Sequence, residues 1–565
     1  MTGSPSNPGR FKAPRGWVVC GVRGSDRFRR VYATRSEFVC YVRRNQLKEF
    51  GFVQRRIGLI TTLVMVFAVL PMGVASAGPE ACENRVNNTI DKLLECVDVD
   101  GVREHQAALQ EIADNNGGIR PSGTSGYNAS KDYVVERMEA AGYDVTVQPF
   151  QFNAFIQLGP STLEQTAPVA TSYVEDTDYN LMSQTEPGDV SGPVTGVDLA
   201  LDTAAWPNLP STSTSGCDVA DFAGFPSGDI ALIQRGACSF QLKAENAAAV
   251  GAVGVIIFNQ GNTPDRTGLI NGTLGSGYSG GIPVFFATFP RGGEWAATSG
   301  LELHMIADVL RGETTSYNVI AESKRGDASN VVMAGAHLDS VNAGPGINDN
   351  GSGSAALLEV AEQMAKVKPR NQVRFAWWGA EESGLVGSIF YVNGLSQEEQ
   401  DDIALYLNFD MVGSPNHVFF IYDGDDSDGE GAGPGPDGSA QIEEFYEDFY
   451  DNRGVSFKGT DFSGRSDYGP FIAVGIPAGG LFTGAEGIKT ADEAAIWGGT
   501  AGDQYDPCYH LACDTFDNVN LEALDVNSDA IAASVLQYAM NTETINGERG
   551  KGNYQPHNWD FGPTE

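Results

Sequence analysis

The sequence predicts an α/β protein, a three-layer sandwich with a mixed, largely parallel central sheet and a small β-rich insert. From residue 311 onward, apolar runs with strand character alternate with amphipathic helical runs, as in VVMAGAHLD followed by SAALLEVAEQMAKV. Between residues 161 and 310 the pattern changes to short β-rich runs separated by Gly, Ser, Thr and Pro. Alternation of strands and helices is typical of a parallel sheet that helices cover on both faces.

Residues 78–160 are predicted to form the N-terminal part of the larger domain. VREHQAALQEIA has apolar residues at helical spacing, and a loop rich in Gly, Asn and Ser follows it. A second helical run, KDYVVERMEAAG, ends at Gly142, and the alternating run at 143–152 predicts a strand.

Residues 161–310 predict a separate small domain inserted between the two parts of the larger one. Its apolar runs predict strands at GDIALIQRG, VGVIIFNQ and IPVFFATF. One helical run, FQLKAENAAAVGA, lies among them.

Residues 311–545 continue the α/β alternation, and 546–565 form a C-terminal tail. Further strands are predicted at QVRFAWWGAE, ALYLNFDMV, HVFFIYDG and IPAGGLFTG, and the last helix at LDVNSDAIAASVLQYAM. The acidic loop 423–438 invites an EF-hand interpretation, but it lacks the glycine at position six and the glutamate at position twelve. A solvated loop is the better interpretation.

Residues able to bind metal follow the predicted strands of this second part. His337 and Asp349 are twelve residues apart on a Gly- and Asn-rich loop. The other candidates come later along the chain: Glu381, Glu382, Asp410 and His510. A single histidine after a strand is more often an ordinary hydrogen-bonded residue. A set of histidines and carboxylates at strand ends, with one glutamate to spare, instead suits a hydrolytic centre with two metal ions.

Charge separates the first residues from the rest of the chain. Residues 1–56 hold 13 Lys or Arg and 3 Asp or Glu, whereas residues 78–565 carry a formal charge near −47. So strong a negative charge argues against nucleic acid or an anionic membrane as partner. It suits a soluble extracellular protein.

Residues 55–77 have the pattern of a signal peptide. Arg55 and Arg56 precede an apolar run of fourteen residues, and Ala75-Ser76-Ala77 provides a small-residue cleavage site. A transmembrane anchor is the alternative, but the run is short for one. We therefore expect a secreted protein without a stable membrane anchor. Residues 1–54 are then a non-native or misassigned extension, with translation starting near Val53.

Six cysteines follow the signal peptide, and their grouping predicts three local disulfides. The expected pairs are Cys82–Cys96, Cys217–Cys238 and Cys508–Cys513. Six cysteines allow fifteen pairings, so proximity along the chain is only a guide. Cys508 and Cys513 as zinc ligands would be the alternative.

The ordered candidates, together with the paired glutamates, resemble the M28 family of zinc peptidases, especially its secreted bacterial aminopeptidases. The insert resembles a protease-associated (PA) domain, whose marks here are RGACSF and the Cys217/Cys238 pair. The catalytic resemblance covers roughly residues 101–160 and 310–543.

The resemblance implies two zinc ions per chain and a role for each candidate. Asp349 would bridge both ions, and the Asp349–Asn350 peptide bond would be cis. His337 and Asp410 would complete one ion, and Glu382 and His510 the other. Glu381 would be the general base that takes a proton from the attacking water.

Four further roles follow from the resemblance or from matched positions. Tyr509 would stabilise the tetrahedral intermediate, and Arg465 would help to hold the substrate, although an ordinary surface cation is the alternative. Asp467 would orient His337. Asp525 and Asp529 match positions that bind Ca²⁺ in a secreted relative, although acids near a helix N-terminus show the same pattern.

The leading functional hypothesis is therefore a dizinc aminopeptidase, a monomer that acts on peptides with a free N-terminus and prefers large apolar first residues. A carboxypeptidase or a dipeptidase on the same scaffold is the first alternative. A non-catalytic binding or receptor protein is the second. The presence of every expected ligand together with Glu381 favours an enzyme.

Overall fold

The structure is a computed structural model that describes residues 82, 84–202, 213–429, 431 and 433–547. The predictions for the extension 1–54, for the signal peptide 55–77 and for all but the first two residues of the tail 546–565 lie outside these residues. Within the described part, none of the helices is both long enough and apolar enough to span a membrane.

Three helices and one strand open the described chain: α1 (Ile90–Leu94), α2 (Val99–Asp114), α3 (Ser125–Ala141) and β1 (Asp144–Gln157). The Asp98 carboxylate caps α2 by accepting a hydrogen bond from the Gly101 amide at 2.8 Å. Gly142, with φ of 96°, ends α3 in the left-handed conformation that glycine adopts without strain.

The inserted segment folds around its own eight-stranded sheet. Its strands are β2 (Thr162–Ala167), β3 (Thr171–Ser172), β4 (Tyr179–Leu181), β5 (Gly188–Val197), β6 (Ile230–Gln234), β7 (Gly254–Phe258), β8 (Val284–Ala287) and β9 (Glu302–Ala307). They are ordered β3-β2-β9-β5-β6-β7-β8-β4, and β5 to β8 run parallel. Helix α4 (Phe240–Ala249) and helix α5 (Phe289–Ala297) complete the unit.

Alternate residues of the insert's central strands face different helices. Ile233 and Ile257 pack in one cluster with Ala244 of α4, and Leu232 lies in another cluster with Trp295 of α5. The sequence predicted α4 but not α5, because the apolar run of β8 continues directly into that helix.

The larger sheet also has eight strands and supports the candidate site. After β1 come β10 (Val309–Glu322), β11 (Asp327–His337), β12 (Asn371–Trp378), β13 (Ile403–Phe409), β14 (Phe420–Tyr422), β15 (Lys458–Thr460) and β16 (Ala478–Phe482). The order is β1-β10-β12-β11-β13-β16-β14-β15. Strands β12, β11, β13 and β16 run parallel, and β1, β10 and the β16–β14 pair supply antiparallel contacts. The predicted mixed, largely parallel sheet is confirmed.

Helices cover both faces of this sheet. They are α6 (Gly351–Met364), α7 (Val386–Gly394), α8 (Gln397–Asp401), α9 (Ser439–Arg453), α10 (Tyr468–Ala473), α11 (Ala491–Trp497), α12 (Leu521–Met540) and α13 (Glu543–Asn546). Val332 on β11 packs in a core cluster with α6 and α12, whereas its neighbour Met333 packs in a cluster with α7 and α10. The side chains of a strand alternate between faces, so this division demonstrates the predicted three layers.

The three predicted disulfides, Cys82–Cys96, Cys217–Cys238 and Cys508–Cys513, are all formed. Each closes a short segment, and the third encloses Tyr509 and His510. Disulfides of this kind persist in oxidising compartments.

Candidate metal centre

The carboxyl ends of three adjacent parallel strands supply most of the candidate ligands. His337 is the last residue of β11, Asp410 directly follows β13, and Glu381 and Glu382 lie three and four residues after β12. These strands are hydrogen-bonded in the order β12-β11-β13. Ligand sites in α/β sheets form at this edge, which explains why residues far apart in sequence meet here.

Asp349 reaches the same edge on the loop between β11 and α6. The fully buried Arg120 holds this loop, donating hydrogen bonds to the carbonyl oxygens of Leu338 (2.6 Å), Pro345 (2.8 Å) and Gly346 (2.8 Å). Burial lowers the pKa of Arg120 to about 10, so it remains charged at neutral pH. The peptide bond Asp349–Asn350 is cis, as the resemblance implied.

The two carboxylate oxygens of Asp349 face two different histidines. Oδ1 lies 3.2 Å from Nε2 of His337, which is itself 3.3 Å from Oδ1 of Asp410. Oδ2 lies 3.2 Å from Nε2 of His510, which is 3.1 Å from Oε2 of Glu382. The five predicted ligands therefore form two triads that share Asp349.

The donor atoms fit metal ions. Oε1 of Glu382 and Oδ1 of Asp410 are buried without a hydrogen-bond partner in the described part of the chain. Such groups are costly unless they bind a cation or become protonated. Burial, followed by the charge of Asp349, raises the pKa of Glu382 to about 7 in the metal-free protein. A mixed set of imidazole and carboxylate donors suits zinc.

Glu381 lies beside the first triad without belonging to either. Its Oε2 is 3.9 Å from Nε2 of His337, and the residue is 9% exposed. The backbone N–H of Glu381 donates to Oδ1 of Asp339 at 3.2 Å. Burial holds the pKa of its carboxyl well above the usual value, and the neighbouring His337 only partly offsets this effect. A carboxylate in this environment can accept and return a proton.

Asp339 contacts the ring of His337 where the predicted contact is with Asp467. Nδ1 of His337 lies 3.1 Å from the carbonyl oxygen of Asp339 and 3.7 Å from its Oδ1, so Asp339 orients the ring. Asp467 is buried nearby, but its carboxylate makes no hydrogen bond to His337. An orienting role of Asp467 stays a prediction. Asp339 was not identified from the sequence, although it lies only two residues after His337.

A hydrogen-bonded chain supports Asp410 from inside the protein. Ser466 donates to Oδ2 of Asp410 at 2.6 Å and accepts from the side-chain amide of Asn408 at 2.8 Å. Tyr406 donates to Asn408 at 3.1 Å and accepts from the indole N–H of Trp378 at 2.8 Å. This series of hydrogen bonds fixes which oxygen of Asp410 faces His337.

Residues 508–513 form the disulfide-closed loop that carries His510. The Tyr509 ring stacks on the imidazole of His510 at 3.8 Å between centroids. Arg465 donates to the Tyr509 hydroxyl oxygen at 3.3 Å and pairs with Glu486 at 2.7 Å. Because Arg465 acts as donor, the Tyr509 hydroxyl keeps its own proton for another acceptor. Glu486 was not predicted.

Asp525 and Asp529 lie on α12, away from the candidate centre. Asp529 pairs with Arg453 at 2.7 Å, and the Asp525 carboxylate accepts from the backbone of Val99. These contacts explain both acids as structural residues. Calcium at this position stays a prediction.

A cavity of about 430 Å³ opens from the candidate ligands toward β14 and β15. Aromatic and other apolar side chains line part of it: Met411, Phe420, Tyr422, Phe482 and Tyr505. The candidate ligands, Arg465 and Tyr509 line it as well, together with the charged residues Asp428, Lys458 and Asp461. The space therefore suits an apolar side chain with a polar group beside the centre.

Comparison with known proteins gives consistent matches. Residues 318–535 match peptidase family M28, and residues 190–295 match the PA domain. An aminopeptidase of Pseudomonas aeruginosa is 53% identical over 453 residues, which cover 80% of this chain and 83% of the relative. A probable lipoprotein aminopeptidase of Mycobacterium tuberculosis is 41% identical over 485 residues, covering 83% and 90%. A solved zinc aminopeptidase from Bacillus subtilis aligns with a TM-score of 0.52 and 25% identity over 78% of this chain and 94% of that one.

Proposed function

Because this chain belongs to peptidase family M28, we propose that it is a secreted dizinc aminopeptidase that removes large apolar N-terminal residues from peptides. The zinc aminopeptidase class is supported by the named relatives and the similar zinc enzyme structure. The number of ions, the preferred residue and secretion are our own extension of that result.

One observation carries the proposal for two ions, namely that both oxygens of Asp349 are engaged toward separate histidines. His337 and Asp410 would hold one ion with Asp349. Glu382 and His510 would hold the other. A single carboxylate that bridges two ions is a common arrangement in hydrolases.

The remaining side chains have roles in peptide hydrolysis. When bound, zinc supplies the Lewis acidity that activates water and the scissile carbonyl. Glu381 accepts the proton of the attacking water and returns it to the amine as the C–N bond breaks. The hydroxyl of Tyr509, which accepts from Arg465, donates to the carbonyl oxygen as negative charge develops there.

The carboxylates of the centre support exopeptidase action on a free N-terminus. A free α-ammonium group would lie near the carboxylates of Glu381 and Asp410, both of which line the cavity. The side chain of the first substrate residue would then contact Phe420 and Tyr422. A blocked N-terminus lacks the charge that these carboxylates attract.

The three disulfides support an oxidising, extracellular location. N-terminal sequencing of the exported protein tests this, and a first residue at Gly78 is expected. A monomer remains our prediction for the oligomeric state, and light scattering during size-exclusion chromatography tests it.

The decisive experiment combines metal analysis with two substrates. We expect two zinc ions per chain, hydrolysis of leucine p-nitroanilide, loss of activity with a chelator and recovery with zinc. An N-blocked peptide with a free C-terminus should not be cleaved. Glu381→Gln should keep zinc and lose at least about a thousandfold in kcat, whereas Glu398→Gln on the exposed helix α8 should not change it. Cleavage of the blocked peptide alone would identify a carboxypeptidase instead.

A further inference from the structure

Glu486 is a charged residue of the 430 Å³ cavity that has no part in the mechanism described so far. It lies four residues after the end of β16, and it lines the cavity together with Arg465 and Tyr509. Its Oε1 is 2.7 Å from Nη1 of Arg465. One ion pair therefore connects Glu486 to the side chain that donates a hydrogen bond to Tyr509.

The guanidinium group of Arg465 joins Glu486 to Tyr509. Its Nη1 is bound to Glu486, and its Nη2 donates to the hydroxyl oxygen of Tyr509 at 3.3 Å. Within the described part of the chain, these are the two side chains to which Arg465 donates hydrogen bonds. Because a guanidinium group is planar, a fixed Nη1 restricts the positions that Nη2 can take. Without Glu486, the longer bond to Tyr509 alone would hold the group.

Backbone hydrogen bonds fix the position of Glu486 relative to the loop of Tyr509. The carbonyl oxygens on either side of it, those of Ala485 and Gly487, accept from the amides of Asp506 and Tyr505, both at 2.9 Å. Residues 505 and 506 lead directly into the disulfide-closed loop 508–513. The segment of Glu486 and the segment that leads to Tyr509 are therefore held together by two hydrogen bonds.

The ion pair is too exposed to be important for folding. The side chain of Arg465 is 62% exposed and that of Glu486 is 46% exposed. Pairs in such an environment contribute little to stability, since water screens the charges and two long side chains lose freedom. A variant that lacks the pair should therefore fold and bind zinc as the wild type does.

The position of Arg465 decides where the Tyr509 hydroxyl can direct its proton. The stacking of Tyr509 on His510, at 3.8 Å between ring centroids, fixes the ring but not the rotation of the O–H bond. When the hydroxyl oxygen accepts from Arg465, its proton must point to a different group. The cation also favours negative charge that develops nearby. Both effects are lost when Arg465 moves away.

We propose that Glu486 is a positioning residue of the peptidase reaction, which holds Arg465 against Tyr509 so that the Tyr509 hydroxyl donates to the carbonyl oxygen of the scissile bond. The inference rests on the proposed aminopeptidase function. Glu486 acts through Arg465, without a substrate contact of its own. Its removal therefore affects the transition state more than the binding of the substrate.

The first test is Glu486→Gln, which keeps the size of the side chain and removes the charge that binds the guanidinium group. On leucine p-nitroanilide we expect about a tenfold loss in kcat and a KM within about twofold of the wild-type value. Zinc content and melting temperature should not change. Glu294→Gln is the matched control, because it removes an exposed pair between glutamate and arginine on α5 of the insert. Its kinetic constants should equal those of the wild type.

A double-mutant cycle tests whether the effect passes through Arg465. In a protein that already carries Arg465→Met, the change Glu486→Gln should alter kcat by less than about twofold, because no guanidinium group remains to be positioned. An equal loss with and without Arg465 would show a separate role of Glu486 and overturn the proposal. An unchanged kcat in the single Glu486→Gln variant would also overturn it.

A crystal structure of the Glu486→Gln protein keeps this inference distinct from the proposed function. We expect Nη2 of Arg465 to lie more than about 3.5 Å from the Tyr509 hydroxyl oxygen. If the wild type does not cleave leucine p-nitroanilide, the aminopeptidase proposal fails, and the crystal structure still shows whether Glu486 holds Arg465. If cleavage occurs and the contact between Arg465 and Tyr509 is retained in the variant, the positioning role of Glu486 alone fails.

Discussion

Asp514 holds the backbone of Asp349 in place. Its two carboxylate oxygens accept hydrogen bonds from the amides of Asn348 (2.8 Å) and Asp349 (2.9 Å). Asp514 is 2% exposed and directly follows Cys513, so it links the loop of His510 to the shared candidate ligand. Burial raises the pKa of Asp514 to about 7, although these two amides stabilise its charged form.

Asp514→Asn should weaken zinc binding by about 10- to 100-fold, the usual cost of disturbing a group that positions a ligand. The new amide keeps one acceptor oxygen but turns an N–H₂ donor toward a backbone N–H. Competition with a fluorescent zinc chelator measures the affinity. Asp517→Asn, an exposed change three residues later, should leave it unchanged. Unaltered affinity in the Asp514 variant would show that the loop holds Asp349 without this carboxylate.

Tyr509→Phe should lower kcat by about 100-fold while KM and zinc content change little, since only a hydroxyl that assists the transition state is removed. Tyr505→Phe is the matched control. Tyr505 lines the same cavity, but its hydroxyl donates a hydrogen bond to Glu493 at 2.9 Å. Initial rates on leucine p-nitroanilide measure both variants. Equal losses would indicate a general effect on the cavity.

Replacing Cys508 and Cys513 by serine should reduce zinc from two ions per chain toward one. His510 is 40% exposed and sits on this loop, so its position depends on the closed disulfide more than that of the buried His337 does. Metal content after dialysis measures the loss. Serine at Cys82 and Cys96 serves as the control, because that bridge should affect the melting temperature but not the stoichiometry. Two retained ions in both variants would contradict the prediction.

His417 should make stability depend on pH below neutrality. Burial, and then the neighbouring Lys489, lowers the pKa of His417 to about 4 in the folded protein, against 6.5 for an ordinary histidine. The unfolded chain therefore binds this proton first, and stability falls as the pH drops from 6.5 to 4, by an amount on the order of 3 kcal/mol.

Denaturant unfolding of the wild type and of His417→Leu between pH 4 and pH 7 isolates this contribution. The difference in unfolding free energy should shift in favour of the variant as the pH falls, because leucine takes up no proton. A difference that is constant across this range would mean that the ring is equally basic in the folded and unfolded states.

Three candidate ligands could be brought together from the sequence because they follow apolar strands, and the ends of parallel strands meet at one edge. His337, Glu381 and Asp410 could be placed in this way before the structure was known. His510 was also a candidate from the sequence, but its loop belongs to no strand, so only the family resemblance gave it a place in the centre. The family assignment and the fold class are confirmed.

The residues that hold the ligands were harder to predict. Arg120 and Asp514 act through backbone groups on loops distant in sequence, and no periodic pattern marks such contacts. The role predicted for Asp467 came from the family resemblance, and the contact between Asp339 and the ring of His337 became visible only in the structure.

The pairing of β1 with β10 has a consequence for protein engineering. These strands stay in register over their whole length, from Asp144 opposite Glu322 to Gln157 opposite Val309. The entire inserted unit thus leaves and rejoins the larger domain at the open tip of one hairpin. A tight turn joining Gln157 to Val309 would remove the insert without breaking a hydrogen bond between β1 and β10. The insert could therefore be exchanged between related proteins as a loop is.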